Sequence, residues 1–206
     1  MRRYKVFALV ILLSVVVVFS GCTEERNEKI ELSGIEFYAT GTRGFSNKAK
    51  ALEAAREIRN RGGAGFVDFD GEWFVIEKIG EGDLRFSAES VEVSLARAED
   101  KELVDALVKS FAENVATLQS LSGKSAREVA AEALRLYNEF RVVVSNFGTI
   151  HNIVYSEIQV AANKQLLALF LLSTEKSGSS ISSALEHCIC SIKFAYMQLL
   201  TSLRSQ

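Results

Sequence analysis

Residues 37–80 read FYATGTRGFSNKAKALEAAREIRNRGGAGFVDFDGEWFVIEKIG, and changes of period inside this stretch decide the fold. Phe37 and Ala39, with Ile35 before them, alternate with Glu36, Tyr38 and Thr40, the two-residue period of a strand with one buried face. Gly41, Gly44 and the polar residues around them break it. The period then lengthens. Ala49, Leu52, Ala55 and Ile58 fall on one helical face, Ser46 or Asn47 stands where a cap belongs, and Gly62-Gly63 marks the stop. Extended structure returns at Gly65–Phe69, and Asp70-Gly71 between two apolar runs signals a hairpin whose second strand is EWFVIEKI. The order is β-α-β-β, and a short alternation at Val91, Val93 and Leu95 supplies one more strand.

Downstream, from Asp100, the pattern is helical. Leu103, Leu107, Phe111, Val115 and Leu118 form one stripe, stopped near Gly123. Val129, Ala133, Tyr137, Phe140 and Val144 form a second, opened by Ser125 and Glu128 as a capping box. A third helix is expected over about 151–172, ending in the apolar QLLALFLL, and a fourth over Ser180–Leu203. The QLLALFLL run is too short to span a bilayer and reads as bundle core. The fold class is α+β, a small β-α-β-β module over residues 34–97 followed by a helical hairpin or bundle over 98–206, divided near Ala98.

Upstream, Arg2, Arg3 and Lys5 precede an apolar run from Val6 to Phe19. A membrane span needs about 20 apolar residues, so the run reads as an export signal. Phe19-Ser20-Gly21-Cys22 resembles the lipobox of bacterial lipoproteins, with Phe19 where leucine is commoner. The resemblance implies cleavage of residues 1–21, diacylglycerol on the Cys22 sulfur and palmitate-type acyl chains. The mature chain would then be extracytoplasmic and membrane-anchored, with residues 22–33 as a tether. Each buried methylene contributes about 0.8 kcal/mol, so more than one acyl chain anchors stably.

Charge and cysteine usage narrow the partners. The chain has 24 basic and 26 acidic residues, and loss of the signal leaves 21 basic against 26 acidic, which argues against nucleic acid as a partner. Cys188 and Cys190 stand two apart in a helical segment, so their side chains diverge by about 200° and read as packed, inert thiols. Catalysis finds no support. No carboxylate pair at a working spacing can be identified, and Asp68, Asp70 and Glu72 read as a solvated turn. His151 and His187 lie in separate helical segments without a serine or cysteine motif beside either. The GTRG segment lacks the lysine and spacing of a phosphate loop, and no metal or cofactor is expected.

The residues 37–80 also resemble a SPOR domain, the sporulation-related family that binds peptidoglycan. The resemblance rests on Gly44-Phe45-Ser46, on the spaced Ala49, Leu52 and Ala55, on Gly62-Gly63, and on Trp73-Phe74 in the hairpin. Family members have a second α-β half after the hairpin; EGDLRFSAE is too short for that helix, so the last strand would be reached directly and the module abridged. Thr40 or Gly41 stands where the family has a glycan-facing Gln, and Val75 where an Arg often follows the aromatic.

If Ile35, Phe37 and Ala39 pack on the module's helix, then Tyr38, Thr40 and Thr42 face out, and in the hairpin Phe74 and Ile76 are core while Trp73, Val75 and Glu77 lie open. Sugar rings pack on aromatics and their hydroxyls need short polar partners, so the expected glycan site is Trp73 as platform with Tyr38 and Thr40 beside it, and Arg43 reaching a muramyl carboxylate. Two functions are expected. The first is a lipid-anchored envelope protein binding peptidoglycan in sporulation or division; the second is a non-catalytic interaction or assembly lipoprotein whose helical region binds a protein partner or itself. An open Trp73 favours the first, and a covered Trp73 with an exposed apolar stripe around Leu166–Leu172 favours the second.

Overall fold

The computed structural model describes residues 28–95, 100–147, 153–178 and 180–205. The export signal, Cys22, the first part of the tether, Ala98 and His151 lie outside the described residues. Six strands occupy the N-terminal half: β1 (Glu28–Leu32), β2 (Ile35–Phe45), β3 (Phe66–Phe69), β4 (Trp73–Ile79), β5 (Leu84–Ala88) and β6 (Val91–Leu95). Helix α1 (Lys48–Asn60) follows β2, and α2 (Asp100–Gln119), α3 (Ala126–Asn146), α4 (Ile153–Ser173) and α5 (Ile181–Arg204) complete the chain. The α+β class holds.

The strands form two antiparallel sheets, one ordered β3-β4-β2-β5 and the other the pair β1-β6. Two short alternations were missed. Ile30 and Leu32 put a strand inside the expected tether, and Leu84, Phe86 and Ala88 put one in the segment expected only to connect the hairpin to a last strand at Val91–Leu95. The alternation at Val91, Val93 and Leu95 is a strand, but it pairs with β1 (Ile30 opposite Val93) and not with the larger sheet. To reach the far side of β2, the chain passes from β4 to β5 across Ala39 through Gly82, at φ +140°; a Cβ there would lie 2.1 Å from the Ala39 carbonyl oxygen.

Local signals hold well. Asn47 caps α1, its side chain accepting from the Lys50 N–H at 3.0 Å. Asp70-Gly71 turns the β3–β4 hairpin, with Gly71 at φ +105°. Ser125 and Glu128 close the capping box of α3 reciprocally. The stripes shift by a residue in places: Ala51, Ala55 and Ile58 are the buried row of α1, Val104 replaces Leu103 in α2, and Leu136 replaces Tyr137 in α3.

The larger sheet is covered on both faces. Helix α1 packs on Val75, with Trp73, Val67 and Phe45 around it. On the other face, each of the four strands contributes one phenylalanine to Phe194 of α5. The ring centroids lie 5.2 Å (Phe37), 4.8 Å (Phe66), 5.6 Å (Phe74) and 4.9 Å (Phe86) from it. Behind α5, helices α2, α3 and α4 close a bundle in which α5 is the member touching the sheet. The boundary near residue 98 separates strands from helices, yet the main apolar core runs across it from Ile30 to Leu203, with a smaller cluster of Ala51, Ala55, Ile58 and Val75 under α1.

Truncating Phe194 removes the common partner of four rings, so Phe194→Ala is expected to cost about 3–5 kcal/mol in urea unfolding and Phe194→Leu distinctly less. A loss near 1 kcal/mol for the alanine variant would mean that the sheet and the bundle are held together elsewhere. The bundle also contains a polar fault: Gln165 of α4 is fully buried, and neither its Oε1 nor its Nε2 has a hydrogen-bonding partner among the described residues. Gln165→Met, similar in shape, is expected to raise stability by about 1–3 kcal/mol, read as a higher urea midpoint at unchanged slope.

Candidate functional site

The sheet faces are assigned opposite to the sequence expectation. Phe37 and Ala39 face α5, not α1, and α1 lies on the face of Trp73 and Val75. The reason is the run Trp73-Phe74-Val75-Ile76, apolar on both sides of the strand, as expected of a strand buried on both faces. Val75, expected open, is fully buried.

This arrangement disperses the four expected glycan residues. Trp73 is half-buried, its ring 5.0 Å from that of Phe69, with the Lys48 ammonium 5.6 Å above it. Tyr38 and Thr40 do lie on an open flank that α1 leaves uncovered, beside the bidentate Arg85–Glu36 pair (3.1 and 2.9 Å). That hydrogen-bonded guanidinium holds the Glu36 carboxyl below its ordinary range. Thr40 Oγ1 donates to the Glu81 carbonyl at 3.1 Å. Trp73 pairs with Phe45 at the far end of β2, roughly 20 Å of strand from Tyr38. Arg43 sits on the other face, its guanidinium 5.1 and 4.9 Å from the Phe74 and Phe86 rings, ion-paired to Asp70 at 2.7 Å and Glu72 at 3.7 Å. Tyr38 and Thr40 are together; Trp73 and Arg43 are not with them.

The feature that sequence reasoning did not find is a groove of about 850 Å³ between the edge strand β3 and the helical pair α4 and α5. Val67 and Asp68 form one wall, Leu167 and Leu171 the other, and His187 and Ala195 lie along the floor. Its end is stapled by three successive carbonyls of the α1–β3 loop. Gly63 O accepts from Ser183 Oγ (2.7 Å), Ala64 O from His187 Nδ1 (3.0 Å), and Gly65 O from Arg59 Nη1 (2.6 Å). A carbonyl only accepts, so Nδ1 of His187 carries the proton. Burial pushes the imidazole pKa below its ordinary 6.5, reinforced by nearby Arg59. Across the groove Lys164 Nζ donates to Gln198 Oε1 (2.6 Å) and Gln198 Nε2 to Asp68 Oδ2 (2.6 Å), while burial raises the Asp68 carboxyl above its ordinary value.

None of this arms a nucleophile. Cys188 is buried and its thiol is pushed up to about 12; Cys190, fully buried, is raised as well. Both are free and packed, as their spacing suggests. Among the described residues no three His, Cys, Asp or Glu side chains converge to hold a metal ion. The α4 wall of the groove is apolar instead: of QLLALFLL, Gln165, Ala168, Leu169 and Leu172 are buried, but Leu167 and Leu171 on the groove are 58 and 56 % exposed, and Phe170, beside Tyr137 of α3, is 46 % exposed. The expectation that the whole run is core is therefore corrected. Helix α4 has so little amphipathic bias that its periodicity names no inner face.

No family model, no curated protein and no solved structure matches the chain.

The His187 pKa gives the groove end a pH dependence. Below pH 6.5 the unfolded chain takes up a proton that the folded imidazole resists, so stability falls as pH drops from 6.5 through the lower folded value. Unfolding at pH 7.5 and pH 5.5 is expected to show a loss in the wild type that is smaller in His187→Gln. An equal loss in both proteins would place the pH dependence in other groups.

Proposed function

We propose that the chain is a non-catalytic interaction or assembly lipoprotein of the bacterial envelope, anchored through acylated Cys22 and binding a protein partner along the groove and the adjoining face of α4. The observation that carries this reading is the exposure of Leu167, Phe170 and Leu171 on one helix. Contiguous exposed apolar side chains on a folded protein mark interaction surfaces, whereas scattered ones do not. Two further observations support it. Trp73, the favoured platform for sugar, is committed to α1, Phe69 and Lys48. Among the described residues no helix is long and apolar enough to cross a membrane, which is compatible with the anchor that the lipobox resemblance puts on Cys22.

The wall-binding reading retains one observation, the open flank with Tyr38 and Thr40. A photo-crosslinking residue placed at Leu171 or at Tyr38 in the full chain, activated in cells, separates the two. A discrete protein adduct from Leu171, absent from Tyr38 and lost when Leu167→Glu is added, is the expected result. An adduct of the chain with itself would identify the partner as a second copy. Binding to purified sacculi that is abolished by Tyr38→Ala and indifferent to Leu167→Glu would overturn the proposal in favour of peptidoglycan. Cys22→Ala is expected to move the protein out of the membrane fraction in the same cells.

A further inference from the structure

A second cavity, of about 420 Å³, lies on the other side of α5, enclosed by the β1–β2 turn (Ser33, Gly34), the start of β2 and helix α2. Its walls are apolar, with Ile35, Val108, Phe111, Val115 and Ile192 among them. Its charges are of one sign: Lys109 and Lys193 line it, and among the described residues no carboxylate does. Lys109 is occupied at the exposed rim, where it pairs with Glu113 at 3.3 Å one turn along α2. Lys193 is different. It is half-buried, its ammonium stands 5.0 Å from the Phe37 ring centroid, and among the described residues no oxygen accepts a hydrogen bond from it. Tyr196 does not serve as an anion, because its hydroxyl donates to the Ser33 carbonyl at 2.8 Å and burial pushes the phenol up to about 12.

A half-buried ammonium without an ion-pair partner among the described residues is costly, and burial pulls the Lys193 pKa below its ordinary value, opposed by the neighbouring Cys190. The face of Phe37 offsets part of that cost by cation–π attraction but leaves the N–H donors unused. The complement of this cavity is a molecule with one negative group and an apolar body. A volume near 420 Å³ falls in the range of small-ligand pockets and excludes a two-chain lipid. We propose that the cavity binds a single-chain amphipathic carboxylate, its tail among Val108, Phe111, Val115 and Ile192 and its carboxylate on Lys193 Nζ. This site is separate from the groove and does not rest on the partner-binding reading.

The test is calorimetric titration of the chain from residue 23 onward, which keeps every described element, with octanoate and with 1-octanol. Saturable octanoate binding is expected in the wild type, weakened tenfold or more in Lys193→Met and largely regained in Lys193→Arg. Octanol, with the same tail and no charge, is expected to bind more weakly than octanoate and equally to wild type and Lys193→Met. Thermal unfolding of each variant checks that it is folded, and Ala112→Phe, on the lining of α2, supplies a block that leaves Lys193 in place. Octanoate binding indifferent to both substitutions, or the absence of saturable binding to the wild type, would overturn the proposal.

Discussion

The contact on which the rest depends is Phe194 among Phe37, Phe66, Phe74 and Phe86, one ring from each strand of the larger sheet. Aromatic rings bury large apolar areas and pack best edge-on or offset, which makes such a cluster both strong and geometrically selective. It ties the last helix of the chain to strands more than a hundred residues earlier. With α5 seated there, the bundle cannot be a separate lobe, and the sheet's Phe37 face cannot receive a ligand. The same seating places α5 beside the edge strand β3 on one side and beside the β1–β2 turn on the other, and both cavities follow from it.

Covering both faces of a small sheet moves function to its edges. A sheet with one open face can hold a polymer along its strands; this one leaves only the short flank of Tyr38 and Thr40, with Glu36 and Arg85 already paired across it. Open apolar side chains gather on α4, at Leu167, Phe170 and Leu171, while Phe69, Leu134 and Val142 stand open singly on β3 and α3. Helix α4 is inverted relative to an ordinary amphipathic one, with Gln165 inside and without a hydrogen-bonding partner among the described residues while Leu167, Phe170 and Leu171 face out. An amide buried without partners and leucines left in water both cost free energy, and their coincidence on one helix is what supports a face that another surface covers.

Much of the local structure was legible in the residues. Asn47 and Ser125 with Glu128 are caps because short polar side chains satisfy helix-end N–H groups, and Asp70-Gly71 is a hairpin because Gly71 tolerates positive φ. The α2 and α3 stripes were nearly right because those helices are amphipathic. The two missed strands are short alternations, Ile30 with Leu32 and Leu84 with Phe86, overlooked where a tether and an abridged half were expected.

By itself, then, the sequence determined the order of strands and helices, their caps and turns, and the α+β class, since each depends on neighbours within one or two turns of chain. Which helix covers which face of the sheet was decided only in three dimensions. Trp73-Phe74-Val75-Ile76 is apolar on both sides and accepts a helix on either, and the choice went to the long-range fit of Phe194 against four strands. The groove beside β3 and the cavity around Lys193 were likewise invisible along the chain. Their walls come from segments as distant as Arg59 and Gln198 in the groove and Ser33 and Tyr196 in the cavity, and no local period records what those segments will enclose.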